Sequence, residues 1–274
     1  MTEEIKEYLK FAKEVGKKAG KIMLENFNKE NEYSYKEDNT IVTSIDKQIN
    51  RLVIEKVKKK FPTHAIDGEE EKVGKSTYTW VVDPIDGTAM YQRKIPVSVF
   101  SLALVKDGKP IVGVVYDPFT KNLYSAAMKN GAYQNDKRIF VNNYTLENKE
   151  SLVNIDMWPA AKYNLYPIEE EIGKKSYTIT IGSIIRAGIE VAKGDFTLAL
   201  FPGTKDKNCD IAALKIIVEE AGGIVTDLYG NEQRYDQPIK GAIISNKNVY
   251  NKALSIVKEK LKENEILPSN SLKD

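Results

Sequence analysis

Two amphipathic helices are predicted at the start of the chain. Between residues 3 and 28 apolar side chains recur at steps of three and four positions, which places them on one face of an α-helix, and lysines and glutamates fill the other face. After a polar stretch at 29–39, a second apolar stripe runs from Ile45 to Val57 and ends near Pro62, since proline cannot continue a helix. Each predicted helix therefore has one face for a core.

From residue 77 the spacing changes to that of short strands. Thr79 to Val82 predict a buried strand that runs into a loop at residues 83–88. Further strand-forming segments are separated by turn residues and lie at 97–105, 111–116, 123–127 and 131–133, the last followed by a turn at 135–136. This succession is typical of an antiparallel meander. The first half is therefore predicted to be helices packed on an antiparallel sheet.

Strands and helices alternate in the second half. Predicted strands lie at 151–155, 178–181, 196–201, 224–226 and 241–245. Predicted helices lie at 183–193, 210–221 and 248–263, and the polar tail from Pro268 is expected to be frayed. The alternation indicates a mostly parallel α/β layer after the α+β layer. The boundary is expected near Asn142 to Glu150, which gives domains at 1–145 and 146–274.

Composition narrows the class of protein. The 274 residues are 42% hydrophobic and 29% charged, which is typical of a folded globular chain. A net charge of +2 provides no strong field for nucleic acid or anionic lipid, so neither partner is expected. The longest apolar runs, such as 97–105, are shorter than the roughly 18 residues that span a bilayer, and the start does not resemble a signal peptide. A cytoplasmic protein is predicted.

Few residues are available for soft-metal or nucleophilic chemistry. A single cysteine, Cys209, excludes a disulfide within the chain and any multi-cysteine metal site, and a single histidine, His64, excludes the usual two-histidine metal centres. Both are expected to be ordinary structural residues. The 39 carboxylates could instead form an oxygen-ligand site, for which a hard cation such as Mg²⁺ is the expected metal.

Carboxylates are most crowded between residues 67 and 86. They are Asp67, Glu69, Glu70, Glu71, Asp83 and Asp86. Asp83 and Asp86 flank a Pro-Ile pair just past a buried strand, so both could face one point and share cations. Gly87 and Thr88 follow and could offer backbone N–H groups and a hydroxyl to a phosphate.

Each of these signals also has a purely structural interpretation. Asp-Pro-Ile-Asp-Gly contains the residues of a well-formed turn, and the acidic pair at 69–70 could lie in a solvated loop. Thr43 to Asp46 fits a helix capping box, and Asp210 could be a favourable charge in the first turn of a helix.

The joint pattern resembles the inositol monophosphatase family, within the superfamily of lithium-sensitive, magnesium-dependent sugar-phosphate and nucleotide phosphatases. Five pieces in order carry the resemblance: Val42 to Asp46, Gly68 to Glu70, Trp80 to Thr88, Cys209 to Ala213, and Glu220 to Gly223. The resemblance covers nearly the whole chain. It implies a layered α-β-α-β-α sandwich of the sugar phosphatase type, Mg²⁺ as cofactor with two to three ions, a homodimer, and inhibition by lithium.

The resemblance also implies a ligand set. Glu69, Asp83 and the backbone carbonyl of Ile85 would hold one metal, and Asp83, Asp86 and Asp210 would hold a second, with Asp83 bridging the two. In the family a third, looser metal also touches the position of Glu69, and water polarised on that side attacks the phosphorus.

Other positions match the parts of the family site that handle water and phosphate. Asp46 and Thr88 would orient and activate the attacking water. The amides of Gly87 and Thr88, with those near Gly182 and Ser183 at a second helix start, would hold the phosphate oxygens, since helix N-termini bind anions. The implied activity is hydrolysis of a small phosphorylated metabolite, such as an inositol monophosphate or a related sugar phosphate.

Departures from the family pattern leave the substrate open. Ala89-Met90-Tyr91 replaces a segment that usually carries asparagine and phenylalanine, Cys209 stands where a tryptophan is common, and the apolar stretch 198–203 lacks the acidic residue of inositol-selective members. Fructose 1,6-bisphosphate, 3′-phosphoadenosine 5′-phosphate and histidinol phosphate remain alternative substrates. Five basic residues could meet a second phosphate or be solvated surface charges: Arg93, Lys94, Arg186, Lys205 and Lys207.

Two other classes of protein are weighed beside the enzyme. A catalytically inactive descendant could keep the fold to bind a phosphorylated ligand, but every ligand position implied by the resemblance is occupied by a matching residue. A nucleic-acid enzyme is disfavoured by the near-neutral charge and by the lack of a basic stripe interleaved with aromatic residues.

Overall fold

The computed structural model describes residues 1–36, 40–158, 161–203 and 208–261. The helices are α1 (Glu3–Phe27), α2 (Ser44–Lys60), α3 (Thr88–Gln92), α4 (Tyr166–Gly173), α5 (Ile184–Ala192), α6 (Cys209–Glu220) and α7 (Lys247–Lys260). The strands of the first half are β1 (Tyr33–Tyr35), β2 (Ile41–Thr43), β3 (Ala65–Gly68), β4 (Lys72–Val73), β5 (Tyr78–Asp86), β6 (Val99–Lys106), β7 (Lys109–Asp117), β8 (Asn122–Ala127), β9 (Ala132–Gln134) and β10 (Lys137–Ile139). Those of the second half are β11 (Leu152–Ile155), β12 (Tyr177–Ile179), β13 (Leu198–Phe201), β14 (Ile224–Thr226) and β15 (Ala242–Ser245).

These elements form the predicted five layers. Helices α1 and α2 cover one face of an eight-stranded sheet, α5 and α6 lie between that sheet and a five-stranded sheet, and α4 and α7 cover the far face. Each interface between layers has its own cluster of buried apolar side chains, because every helix and sheet buries its apolar face against the next layer. The α-β-α-β-α sandwich is confirmed.

The first sheet departs from the prediction in two ways. Its strand order is β10-β9-β8-β7-β6-β5-β3-β4, and β3 pairs with β5 in parallel, so the sheet is not wholly antiparallel. Strand β5 does not end at Val82 but continues to Asp86, with a shift of register against β6 between Asp83 and Asp86. A proline inside a strand is tolerated at such an irregularity, and Pro84 lies there.

The second sheet is mixed rather than mostly parallel. Its order is β12-β11-β13-β15-β14, in which β11 pairs in parallel with β12 and β13, whereas β15 pairs antiparallel with both β13 and β14. The prediction took the general alternation of strands and helices as a sign of parallel pairing, although it placed no helix between the strands at 224–226 and 241–245. The segment from β14 to β15 returns without a helix, and the strand direction therefore reverses.

The structure also contains short elements that the sequence pattern did not predict. They are β1, β2, β3, β4, β10, α3 and α4. Each has eight residues or fewer, which is too short for a helical or alternating period to stand out.

The eight-stranded sheet spans 65–139 and the five-stranded sheet spans 152–245, while the division into two domains stays a prediction. The end of the 248–263 helix and the tail from Pro268 fall outside the described residues. Among the described helices, none is both long and apolar enough to cross a membrane.

His64 packs in an aromatic cluster between α1, α2 and the eight-stranded sheet. Its ring stacks between Phe61 and Tyr78, with centroids 5.0 and 4.9 Å away, and Trp80 Nε1 donates a hydrogen bond to its Nδ1 at 3.1 Å. Burial lowers the pKa of His64, and the charge of Glu4 opposes this only in part. The expectation that His64 is structural agrees with these contacts.

We therefore predict that the single histidine titrates below the usual value of about 6.5. Between the lowered pKa of the folded state and the unperturbed value, the unfolded chain binds more protons than the folded chain. The neutral His64 therefore contributes to stability above this pH window, and its contribution is lost as the pH falls through the window. NMR titration of the one histidine resonance measures the pKa, with the urea-unfolded protein as reference. A folded-state pKa equal to or above the reference would contradict the prediction.

Helix α6 lies unusually close to strand β7. A Cβ atom on Gly113 would stand 2.6 Å from Ile216 Cγ2 and 2.8 Å from the carbonyl oxygen of Ala213, which both belong to α6. The absence of a side chain at this position therefore sets the distance between the helix and the sheet.

We predict that Gly113→Ala lowers the free energy of unfolding by about 1–3 kcal/mol, because the added methyl group must push α6 away from the sheet. Urea denaturation measures the change. Gly173→Ala is the matched control, since the new Cβ would meet only Thr178 Oγ1 at 4.0 Å at the exposed end of α4, where alanine is favoured over glycine by about 0.5–1 kcal/mol. Equal stability of the Gly113 variant and the wild type would contradict the close packing.

Candidate active site

Five carboxylates converge where β5 ends and several helices begin. We name this group the carboxylate bay, and its members are Asp46, Glu69, Asp83, Asp86 and Asp210. They come from the first turn of α2, the residue after β3, the end of β5 and the first turn of α6. Residues far apart in the sequence are thus brought together, as the resemblance implied.

The end of β5 aims two of these carboxylates. The register shift lies between Asp83 and Asp86, and the amide of Ile85 donates to Asp83 Oδ1 at 3.0 Å. A hydrogen bond from a backbone amide to the side chain of an aspartate two residues earlier is typical of a turn. The interpretation of Asp-Pro-Ile-Asp as a turn therefore agrees with the structure. The same segment also presents both carboxylates to one site, so the two interpretations are compatible.

Asp86 is held by the start of α5. The hydroxyl of Ser183, which caps α5, donates to Asp86 Oδ2, and the amide of Ile185 donates to the same oxygen at 2.9 Å. Ser183 Oγ in turn accepts from the amide of Arg186 at 3.2 Å. The first turn of α5, from the second half of the chain, therefore orients a carboxylate of the first half.

Asp46 serves both as a helix cap and as a part of the bay. Its Oδ2 accepts from the amide and the hydroxyl of Thr43 at 2.8 and 2.5 Å, which completes the capping box at the start of α2. Its Oδ1 accepts from Thr88 Oγ1 at 3.3 Å, and that hydroxyl also lies 2.8 Å from the carbonyl oxygen of Ile85. The cap thus fixes Asp46 beside Thr88.

Glu69 follows β3, and its amide donates to the carbonyl of Val82 on the parallel strand β5 at 3.1 Å. Its carboxylate accepts from Lys36 Nζ at 2.8 Å, and the same ammonium lies 2.6 Å from Glu70 Oε1. Lys36 does not stand out in the sequence, because it is one charge among many in the polar stretch at 29–39. Only its position in the fold, beside Glu69 and Glu70, distinguishes it.

Asp210 enters the bay from the start of α6. Asn208, the residue just before α6, donates through Nδ2 to Asp67 Oδ2 at 3.1 Å and to the carbonyl of Tyr235 at 2.6 Å, which ties this helix end to the first sheet. Cys209, which is predicted to be an ordinary structural residue, lies beside the bay. Its Sγ lies within 4.8 Å of carboxylate oxygens of both Glu69 and Asp83.

The bay concentrates negative charge in a buried place. Burial raises the pKa of Asp46 to about 7, with a further contribution from the charge of Glu69. Burial likewise raises the pKa of Asp86 to about 8, with the charge of Asp210 adding to it, and raises the pKa of Asp83 well above its usual range. Like charges in a poorly solvated site disfavour ionisation, and a bound cation would reverse that preference.

The donor set fits divalent metal ions. Carboxylate oxygens of Asp83, Asp86 and Asp210 lie within 4.8 Å of one another, and a second group consists of Glu69, Asp83 and Cys209. The two groups share Asp83, the position expected to bridge two metals. Oxygen ligands suit hard cations such as Mg²⁺, whereas the sulfur of Cys209 is a soft neighbour.

Two backbone loops meet beside the bay. Gly87 caps α3 in a left-handed conformation, with φ of 80°, and a Cβ there would stand 3.0 Å from the carbonyl oxygen of Gly182. The amide of Gly182 donates to Asp156 Oδ1 at 3.0 Å. This amide is therefore engaged within the protein, and the expectation that amides near Gly182 and Ser183 hold a phosphate stays a prediction. Ser183 and Thr88 remain at helix starts next to the bay.

Three of the basic residues proposed for a second phosphate lie within the described structure. Arg186 is paired with Asp117 and Glu190. Arg93 and Lys94 donate to backbone carbonyls, of Ala89 at 2.9 Å and of Lys29 at 2.5 Å respectively. Lys205 and Lys207 fall outside the described residues.

The comparisons with known proteins agree with this geometry. The model of the inositol monophosphatase family matches residues 4–262. A fructose-1,6-bisphosphatase/inositol-1-monophosphatase of Aquifex aeolicus is 34% identical, over 82% of this chain and 87% of its own length. The Nus factor SuhB of Pasteurella multocida is 33% identical, over 81% of this chain and 85% of its own length.

The fold has a close counterpart among solved structures. The IMPase of Thermotoga maritima superposes with a TM-score of 0.83 and is 28% identical, over 92% of this chain and 97% of that one. The sequence match, the five-layer fold and the order of the acidic motifs lead to one conclusion: this chain belongs to the inositol monophosphatase family.

Proposed function

We propose that the carboxylate bay is the active site of a Mg²⁺-dependent phosphomonoesterase that acts on a small phosphorylated metabolite. The observation that carries the proposal is the pair of metal-binding groups that share Asp83. Family membership makes the chain a phosphatase of small phosphorylated metabolites. The presence of a matching residue at every expected ligand position disfavours the alternative of an inactive binding protein.

We assign the ligands as the resemblance implies. Glu69, Asp83 and the carbonyl of Ile85 would hold one ion, and Asp83 would share a second with Asp86 and Asp210. When bound, such ions lower the pKa of a coordinated water and stabilise charge on the attacking and leaving oxygens. We further propose two to three Mg²⁺ ions per site.

The chain's own groups prepare the reaction. Thr88 Oγ1 lies between the carboxylate of Asp46 and the carbonyl of Ile85, a position from which the hydroxyl and Asp46 can orient a water and accept its proton. The starts of α3 and α5 would stabilise the anionic phosphate.

The substrate is proposed as an inositol monophosphate or a related sugar phosphate. The Aquifex aeolicus relative is named for both fructose 1,6-bisphosphate and inositol 1-phosphate hydrolysis, which supports this class. Arg186, one of the five candidate contacts for a second phosphate, is paired with Asp117 and Glu190, which makes it a poorer candidate for that role. Fructose 1,6-bisphosphate and 3′-phosphoadenosine 5′-phosphate remain alternatives within the same chemistry.

Two further properties are proposed from the family resemblance alone. Lithium would compete at the second metal position, and the protein would form a homodimer. Action in the cytoplasm is proposed from the composition of the sequence. Full activity in high lithium at limiting Mg²⁺ would contradict the first of these.

We predict Mg²⁺-dependent release of phosphate from one member of a panel. The panel contains inositol 1-phosphate, fructose 1,6-bisphosphate, 3′-phosphoadenosine 5′-phosphate and histidinol phosphate. Each compound is incubated with Mg²⁺ and with a chelator, and free phosphate is measured. We expect turnover with Mg²⁺ and none with chelator. Equal release under both conditions would contradict the metal assignment, and intact substrates throughout would contradict the substrate class.

We also predict that Mg²⁺ stabilises the folded protein. A ligand that binds only the folded state, at a concentration of about 100 times its dissociation constant, adds about 2.7 kcal/mol to the free energy of unfolding. Thermal unfolding with and without Mg²⁺ should therefore show a clear rise of the unfolding temperature in the wild type and a much smaller rise in Asp210→Asn. Asp195→Asn removes an exposed carboxylate that pairs with Lys193 and serves as the matched control, with a shift like the wild type. Equal shifts in all three proteins would exclude Asp210 as a ligand.

A further inference from the structure

The segment that joins β12 to α5 is held by side chains at the end of the neighbouring strand β11. Ile181 N donates to Asn154 Oδ1 at 3.0 Å, and Gly182 N donates to Asp156 Oδ1 at 3.0 Å. Asn154 Nδ2 also donates to Asp156 Oδ2 at 2.8 Å. The two side chains thus brace each other and hold two consecutive amides, and we name this pair the amide clip.

The amide clip follows from the local sequence. Residues two positions apart on a strand point to the same face, and Asn154 and Asp156 have this spacing. Their exposed fractions are only 0% and 2%. A buried carboxylate is costly unless hydrogen bonds satisfy it, and here one amide N–H and one side-chain N–H do so. The backbone of 181–182 is therefore fixed to the five-stranded sheet.

The clipped segment leads directly to a carboxylate of the bay. Ser183, the next residue, donates its hydroxyl to Asp86 Oδ2, and the amide of Ile185 donates to the same oxygen at 2.9 Å. The carbonyl of Gly182 also lies against Gly87, where a Cβ would be only 3.0 Å away. A shift of Gly182 would therefore move both hydrogen-bond donors of Asp86 and the loop that follows Asp86.

We propose that Asn154 and Asp156 are positioning residues for the carboxylate of Asp86. The amide clip acts through Ser183 and Ile185 and contacts neither substrate nor metal. The inference rests on the proposed function, because it gives Asp86 the role of a metal ligand. Groups that orient ligand side chains in this way change metal affinity or activity by about 10–100-fold when they are removed.

An exchange of the two side chains tests the role. Asn154→Asp sets two carboxylates face to face, and Asp156→Asn sets two amides face to face. The double variant places an aspartate and an asparagine together again with the order reversed, so the hydrogen bond between the two side chains can form again while each backbone amide keeps an acceptor oxygen. We expect calorimetry with Mg²⁺ alone to show a dissociation constant raised by about tenfold in each single variant. In the double variant it should return close to the wild-type value.

Thr180→Val is the matched control. It removes the hydrogen bond from Thr180 Oγ1 to the carbonyl of Ile155, 2.7 Å long, which joins the same two chain segments without holding 181 or 182. We expect this variant to unfold at lower urea concentration and to bind Mg²⁺ as the wild type does. If the amide clip had a purely structural role, the single variants would likewise unfold at lower urea concentration and bind Mg²⁺ as the wild type does.

Two results would overturn the role of the amide clip while leaving the proposed function intact. The first is equal Mg²⁺ affinity in all four proteins of the exchange. The second is a double variant as weak as the single ones, which would assign the effect to the identity of each side chain at its own position rather than to the hydrogen bond between them. Absence of Mg²⁺ binding by the wild type would instead overturn the proposed function, and this role with it.

Discussion

The repulsion between carboxylates that share a buried site is the constraint on which the rest of this structure depends. Charges that are weakly coupled in water interact several times more strongly in a poorly solvated interior. Burial and mutual repulsion accordingly raise the pKa of Asp46, Asp83 and Asp86. A protein that keeps these carboxylates together must hold each of them by hydrogen bonds or opposite charges, and its folded state is stabilised when a cation binds.

The helices provide much of this compensation. Asp46 and Asp210 lie in the first turns of α2 and α6, and Asp86 accepts a hydrogen bond from the first turn of α5. The N-terminus of a helix carries partial positive charge and unpaired N–H groups, so it favours a neighbouring carboxylate. Lys36 adds a full charge beside Glu69. The layered fold thus serves the site by bringing several helix starts to one point.

The site also explains why the layers must pack closely. Asp86 belongs to the eight-stranded sheet, but its hydrogen-bond donors lie at the start of α5. Asn154 and Asp156, at the end of a strand of the five-stranded sheet, bind the backbone just before that helix. Asp210 reaches the bay on α6, whose distance from the first sheet is set by the missing side chain of Gly113. The arrangement of ligands therefore depends on the contact between the two sheets.

The sequence by itself determined the long helices and the acidic motifs, because apolar periodicity and residue chemistry are local properties. The five-layer order followed from the family resemblance that those motifs carry. The sequence did not determine that β5 continues through Pro84, that β15 reverses direction, or that Lys36 reaches Glu69. Nor did it reveal that Cys209 lies beside the bay and that the amide of Gly182 is taken by Asp156. Those facts depend on strand pairing and on contacts between residues distant in the chain. Only tertiary packing decides them, because a local pattern carries no information about which distant group will be the neighbour.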